Sequence, residues 1–158
     1  MGSRLPGATQ SRVAETNWGL KMYHHLFVYG TLKRGHGNSH RLKHAELLGP
    51  AISVNKYKLL ANGGIPFMVE DEDANAQVRG ELYRVGDVDL ARCDNLEGHP
   101  NYYQRALRAF KLNEDTLFEA WVYLWPNHHS NDYYHELQPD ERGIVEWRRG
   151  EDERGKNE

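Results

Sequence analysis

The sequence lacks the features that mark several broad classes of protein. Its single cysteine, Cys93, leaves no intramolecular disulfide and no multi-cysteine zinc site to build from. No apolar run approaches the ~20 residues a membrane helix requires. The opening stretch MGSRLPGATQSRVAETNWGLKMY has no apolar core of the kind a secretory signal needs. Neither charge is in excess: 20 Lys and Arg stand against 23 Asp and Glu, a formal net charge of -3. Neither nucleic acid nor an anionic membrane is therefore the expected partner. What the chain does have is 158 residues, enough for one sizeable core. It is 39% hydrophobic, and four Trp, nine Tyr and four Phe are more aromatics than a disordered chain carries. A single soluble, cytoplasmic domain is the expectation.

The two ends differ from the middle. Residues 1–22 mix Gly, Ser, Thr, Gln and Arg without a hydrophobic period and read as a flexible arm. Residues 139–158 form a tail dense in both charge signs, in which Ile144, Val145 and Trp147 are the only apolar anchors that could dock on the body. The domain proper is placed at 23–138. Within it, 24–30 (HHLFVYG) is a β-rich apolar run stopping at glycine, the pattern of a strand buried on both faces. Asn38 or Ser39 can cap a short helix reaching about Leu47, with Leu42, Ala45 and Leu48 inward. Strands are predicted at 52–60, 65–69 and 77–85, with Gly80 as a bulge or close-approach point. A second helix starts at Gly86-Asp87 and stops at Gly98. Strands 102–112 and 116–125 follow, joined by Asn113-Glu114-Asp115. About six strands with two or more short helices predict an α+β protein with a small mixed β-barrel or a strongly curled sheet.

Several segments could carry chemistry. A buried strand that stops at Gly30 leaves successive backbone N–H groups free to form an anion-binding nest. The glycines at 30, 35 and 37 fit neither a phosphate P-loop nor a dinucleotide fingerprint, and an ordinary turn is the alternative. Glu97 ends the second helix, next to Gly98 and three residues before Pro100. A carboxylate at a helix C-terminus faces the unfavourable end of the dipole, which raises its pKa and suits a general base. A surface Glu before a turn is the competing reading. His36, His40 and His44 repeat every four residues, so a helix would align His40 and His44 as a zinc-binding pair, but no Asp, Glu or Cys partner is fixed by spacing, and solvated helix histidines are the alternative. The acidic run 71–75 has Ala76 and Leu82 where a calcium loop needs Gly and Glu. Cys93 falls on the helix face of Leu90, the place of a small buried residue rather than a nucleophile.

Taken together, Val28-Tyr-Gly-Thr-Leu32, the strand VRGELYRV at 78–85, Leu96-Glu97-Gly98 and Tyr103-Gln-Arg105 resemble, in that order, the γ-glutamylcyclotransferase-like family. The YGTLKRG stretch is closest to the γ-glutamylamine cyclotransferase branch, and the resemblance spans about residues 24–125. It implies a small α/β barrel and a small-molecule γ-glutamyl substrate. It also implies an intramolecular aminolysis releasing 5-oxoproline and a free amine, with no metal or organic cofactor. Tyr29, Gly30, Thr31 and Leu32 would hold the glutamyl moiety, Glu97 would be the catalytic acid–base, and Tyr103 and Tyr123 would line the pocket. A non-catalytic ligand-binding or interaction protein on the same fold is the alternative. The two differ in whether Glu97 lies in a pocket facing the Tyr29 turn.

Overall fold

The structure, a computed structural model, describes residues 22–30, 32–33, 42, 44–113, 115–126 and 134–148. Strand β1 (Tyr23–Val28) is followed by β2 (Glu46–Ser53), β3 (Lys58–Asn62), β4 (Ile65–Val69) and β5 (Gln77–Gly86). Helix α1 (Asp87–Glu97), strands β6 (Gln104–Leu112) and β7 (Thr116–Leu124), and the short β8 (His135–Glu136) and β9 (Ile144–Val145) complete the order. The sheet order β1-β7-β6-β2-β5 closes through a β1–β5 pairing, so five strands form a barrel. All its neighbours are antiparallel except β1 and β7, which pair in parallel at Leu26↔Trp121. Closure leaves no exposed edge among these five. Outside the ring, β9 lies parallel to the start of β5, and β4-β3-β8 form a second, three-stranded sheet.

Alternation decides which side chains fill the barrel. In β1, Phe27 belongs to one buried cluster with Leu82, Phe110 and Val122, whereas Leu26 and Val28 belong to a second with Val85, Leu90 and Cys93 of α1. The strand is buried on both faces, so its sequence shows no polar alternation. Phe27 and Phe110 stack at 4.1 Å inside. Gly80 is a close-approach point: a Cβ there would fall 2.3 Å from the Val28 carbonyl oxygen.

Two predicted elements differ. Glu46 and Leu47, expected to end a helix, start β2; Glu46 faces Arg84 in β5 and pairs with its guanidinium at 3.0 Å. Helical spacing of Leu42, Ala45 and Leu48 was a local signal that a waiting ladder partner overrode. The capping residues Asn38 and Ser39 lie outside the described residues. The predicted strand 52–60 is two strands, because buried Ser53 ends the first. Its hydroxyl donates to the Asn55 carbonyl (2.7 Å) and accepts from the Val78 N–H (2.9 Å), turning the chain away. Among the described residues α1 is the one α-helix, and no helix is long and apolar enough to cross a membrane.

Candidate active site

Glu97 is the last residue of α1, seven positions after Leu90 and four after Cys93, both buried against the barrel. Helical geometry puts these three on one face, so the carboxyl is carried inward where the helix stops. The stop is Gly98, with φ 72°. That left-handed conformation suits glycine, and a Cβ would also meet Tyr102 Cβ at 2.8 Å. The chain then turns tightly, the Tyr102 N–H donating to the Gly98 carbonyl (2.8 Å) and the Tyr103 N–H to that of Glu97 (3.2 Å). This turn brings Tyr103 beside the helix end, its hydroxyl donating to the Pro66 carbonyl (2.7 Å) and its ring stacked on Phe67.

The opposite wall is the end of β1. Gly30 turns the chain, its carbonyl accepting from the Lys33 N–H at 3.0 Å. A Cβ on Gly30 would lie 2.7 Å from Pro66 Cγ, so only glycine lets the turn sit this close to β4. Tyr29 is buried; its hydroxyl donates to the Tyr123 carbonyl (2.7 Å) and accepts from the Met68 N–H (3.2 Å). One phenol thus joins β1, β4 and β7 at the floor of the site.

Between these walls lies a cavity of about 240 Å³ lined by Tyr29, Gly30, Leu32, Glu97, Tyr103 and Tyr123, among others. Thr31 lies outside the described residues. Pro66, Phe67, Leu96 and Tyr102 also line the cavity and were not among the expected site residues. No spacing rule links the β3–β4 hairpin to a turn more than thirty residues earlier, so only the closed barrel reveals this wall. Glu97 is the one charged side chain among the described lining residues, and no described group hydrogen-bonds or ion-pairs with its carboxylate. Burial raises its pKa from 4.5 to about 7. Burial also pushes the hydroxyls of Tyr29, Tyr103 and Tyr123 well above the usual tyrosine range, so they are neutral donors near pH 7. The Tyr123 hydroxyl donates to Asp94 Oδ1 (2.7 Å), which also meets Arg105 Nε at 3.0 Å. No group of three or more His, Cys, Asp or Glu able to hold a metal occurs among the described residues, His44 and His135 included.

The fold and cavity define a class: a small closed barrel whose cavity has one carboxyl among its described lining residues, its pKa raised by burial to about 7, together with a strand-end turn. The chain belongs to the gamma-glutamyl cyclotransferase, AIG2-like family, which it matches over residues 26–148, and is of the γ-glutamylcyclotransferase enzyme type. A relative from Methanocaldococcus jannaschii, given a provisional gamma-glutamylcyclotransferase name, is 38% identical over 103 residues, 65% of this chain and 84% of that one. The gamma-glutamylcyclotransferase family protein YtfP of Escherichia coli is 35% identical over 100 residues, 63% of this chain and 80% of that one. The crystal structure of a mouse AIG2-like protein superposes with a TM-score of 0.63 at 29% identity, covering 79% of this chain and 95% of that one.

Proposed function

We propose that this protein converts a γ-glutamyl amine or γ-glutamyl amino acid to 5-oxoproline and a free amine by intramolecular aminolysis, with Glu97 as general acid–base. The observation that carries this reading is the Glu97 carboxyl, unpaired among the described residues and with its pKa raised to about 7, in the cavity that Gly30 also lines. At pH 7 the substrate's α-ammonium has no lone pair with which to attack. Glu97 accepts one proton, and the freed amine attacks the γ-carbonyl carbon. A bond forms between the α-nitrogen and the γ-carbon, and the bond from that carbon to the leaving nitrogen breaks. The α-nitrogen loses two protons and the leaving nitrogen gains two, so a single carboxyl shuttling between them balances the reaction. Nucleophile and electrophile are already tethered, so the protein supplies only orientation and proton transfer. Backbone groups at Gly30 and Leu32 would hold the glutamyl end, with Thr31 beside them, while Tyr103 and Tyr123 wall the ring as it closes.

The test is 5-oxoproline release from a panel of γ-glutamyl amines and γ-glutamyl dipeptides. Wild type should turn over at least one, and Glu97→Gln, which keeps size but cannot take a proton, should fall by ~10²-fold or more with its fold intact. Silence across the panel would overturn the activity; an active Glu97→Gln would overturn the mechanism alone. Gly30→Val should raise KM about tenfold or abolish turnover, because its side chain meets Pro66. A folded Gly30→Val protein with unchanged kinetics would remove this turn from the site.

A further inference from the structure

Lys33 is 3% exposed, an uncommon state for a lysine. Its Nζ donates to the Trp147 carbonyl at 2.7 Å, across 114 positions of sequence, and lies 3.4 Å from Glu146 Oε2. Burial draws its pKa down and Glu146 draws it back up. Glu146 is shared, with Arg79 Nε at 4.0 Å and Arg148 at 3.2 Å. The ammonium does not line the cavity, so the chemistry above makes no use of it. Its backbone does matter there: the Lys33 N–H closes the turn at Gly30 that brings Gly30 and Leu32 to the cavity wall.

The other end of the tie is the C-terminal segment. Strand β9 pairs in parallel with β5 at Gln77↔Ile144 and Val78↔Val145, and the Gln77 N–H donates to the Gly143 carbonyl at 2.9 Å. Asp140 shapes the approach, accepting from the N–H groups of Arg142 (2.8 Å) and Ile144 (3.0 Å). Val145 and Trp147, each 2% exposed, join Phe27 and Tyr29 in one buried cluster. The segment is thus seated by apolar packing at Val145 and Trp147 and by a charged tie at Lys33. An apolar side chain of similar length would fill the lysine's volume, whereas a buried ammonium is tolerated only where it is paired and hydrogen-bonded. The tie, not the volume, is what distinguishes lysine here.

We propose that Lys33 is a positioning residue for the cyclisation, fastening the cavity-lining turn at Gly30 to the C-terminal segment through the Trp147 carbonyl. The backbone that holds the glutamyl group is then in place only while Ile144, Val145 and Trp147 are seated. This rests on reading that turn as the glutamyl-holding element.

Two full-length variants test it from opposite ends. Lys33→Met cuts the tie, and Val145→Ala loosens the seat while changing neither Lys33 nor any residue that lines the cavity. Amide hydrogen exchange, followed by mass spectrometry, should speed up about tenfold at positions 32 and 33 in both, while β6 amides keep their wild-type rates. KM for the best γ-glutamyl substrate should rise about five- to tenfold with kcat within about twofold, because orientation of bound substrate is lost while Glu97 is untouched. A merely structural role would lower thermal stability and leave KM alone, which would overturn the proposal. Wild-type exchange in both variants of an active enzyme would also overturn it, while leaving the cyclase reading intact. If Lys33→Met does not fold, Val145→Ala decides by the same two readouts. A wild-type enzyme releasing no 5-oxoproline from any panel member would overturn the cyclase reading and the positioning role together.

Discussion

The last turn of α1 carries two carboxylates into contrasting surroundings. Asp94 enters a polar corner, where it accepts from the Tyr123 hydroxyl at 2.7 Å and meets Arg105 Nε at 3.0 Å, with that guanidinium stacked 4.2 Å over Trp121. Glu97, three residues on, enters a cavity walled by aromatic rings, aliphatic carbons and the turn at Gly30, and no described donor reaches it. Both residues are acids on the same helix, so neither side-chain type nor secondary structure separates them. The difference is the partner. A carboxylate that accepts from a phenol and sits against a guanidinium is already paired, and it ties β6 and β7 to the helix. One with no partner among the described residues, in a mostly apolar cavity, has its pKa raised by burial to about 7 and keeps its proton exchangeable near neutral pH.

The sharpest way to break this contrast is to neutralise each acid in turn. Glu97→Gln should cost ~10²-fold or more in kcat, whereas Asp94→Asn, which can still accept from Tyr123, should stay within about fivefold. Steady-state rates of 5-oxoproline release check both, and equal losses would dissolve the distinction.

A second test reads the same difference as stability. For Glu97 the folded-state pKa of about 7 lies above the unfolded value near 4.5, so the folded protein keeps a proton that the unfolded chain releases. Stability from this group is whole below about pH 4.5 and falls as pH rises toward 7, by up to about 3 kcal/mol in total. Glu97→Gln should therefore gain Tm over wild type progressively from pH 4.5 to 7 and hold a constant lead above it. Thermal melts across that range measure it; a Tm difference independent of pH would show that Glu97 is not desolvated. In the same range the kcat/KM of wild type should rise with pH about tenfold per unit until Glu97 is ionised.

The smallest effects concern the tyrosines on either side. Tyr29→Phe strands the Met68 N–H and the Tyr123 carbonyl, both buried, and should cost about 2 kcal/mol of stability. Tyr123→Phe leaves Asp94 its Arg105 and should cost about 1 kcal/mol or less. Denaturant unfolding of the two variants ranks them, and a reversed order would place the stronger brace at Asp94.

Strand β1 could be read from the sequence because it is apolar on both faces, and α1 because Gly86-Asp87 and Gly98 mark its start and its stop. Reading the YGTL stretch and Leu96-Glu97-Gly98 together also put Gly30 and Glu97 in one site before any geometry, and both line one cavity. What could not be read was settled by partners distant in the chain. Leu47 looked helical because Leu42 and Leu48 share a face, yet Tyr83 of β5 offered it a ladder. The run after Ile52 looked continuous, yet a single buried hydroxyl at Ser53 ended its strand. Trp147 looked like an anchor in a charged tail, and its carbonyl is the acceptor that holds Lys33.

By itself the sequence determined most of the local elements, the stop of α1 at Gly98 and the family. The elements depend on side-chain periodicity and on a glycine stop, and the family on short motifs in a fixed order, all properties of a few neighbouring residues. Only the tertiary structure decided that Glu97 would have no partner among the described residues, that Pro66 and Phe67 would wall its cavity, and that the Trp147 carbonyl would accept from Lys33 beside the Gly30 turn. A carboxyl's pKa and a turn's placement depend on which distant atoms exclude water and supply hydrogen bonds, and barrel closure selects those atoms.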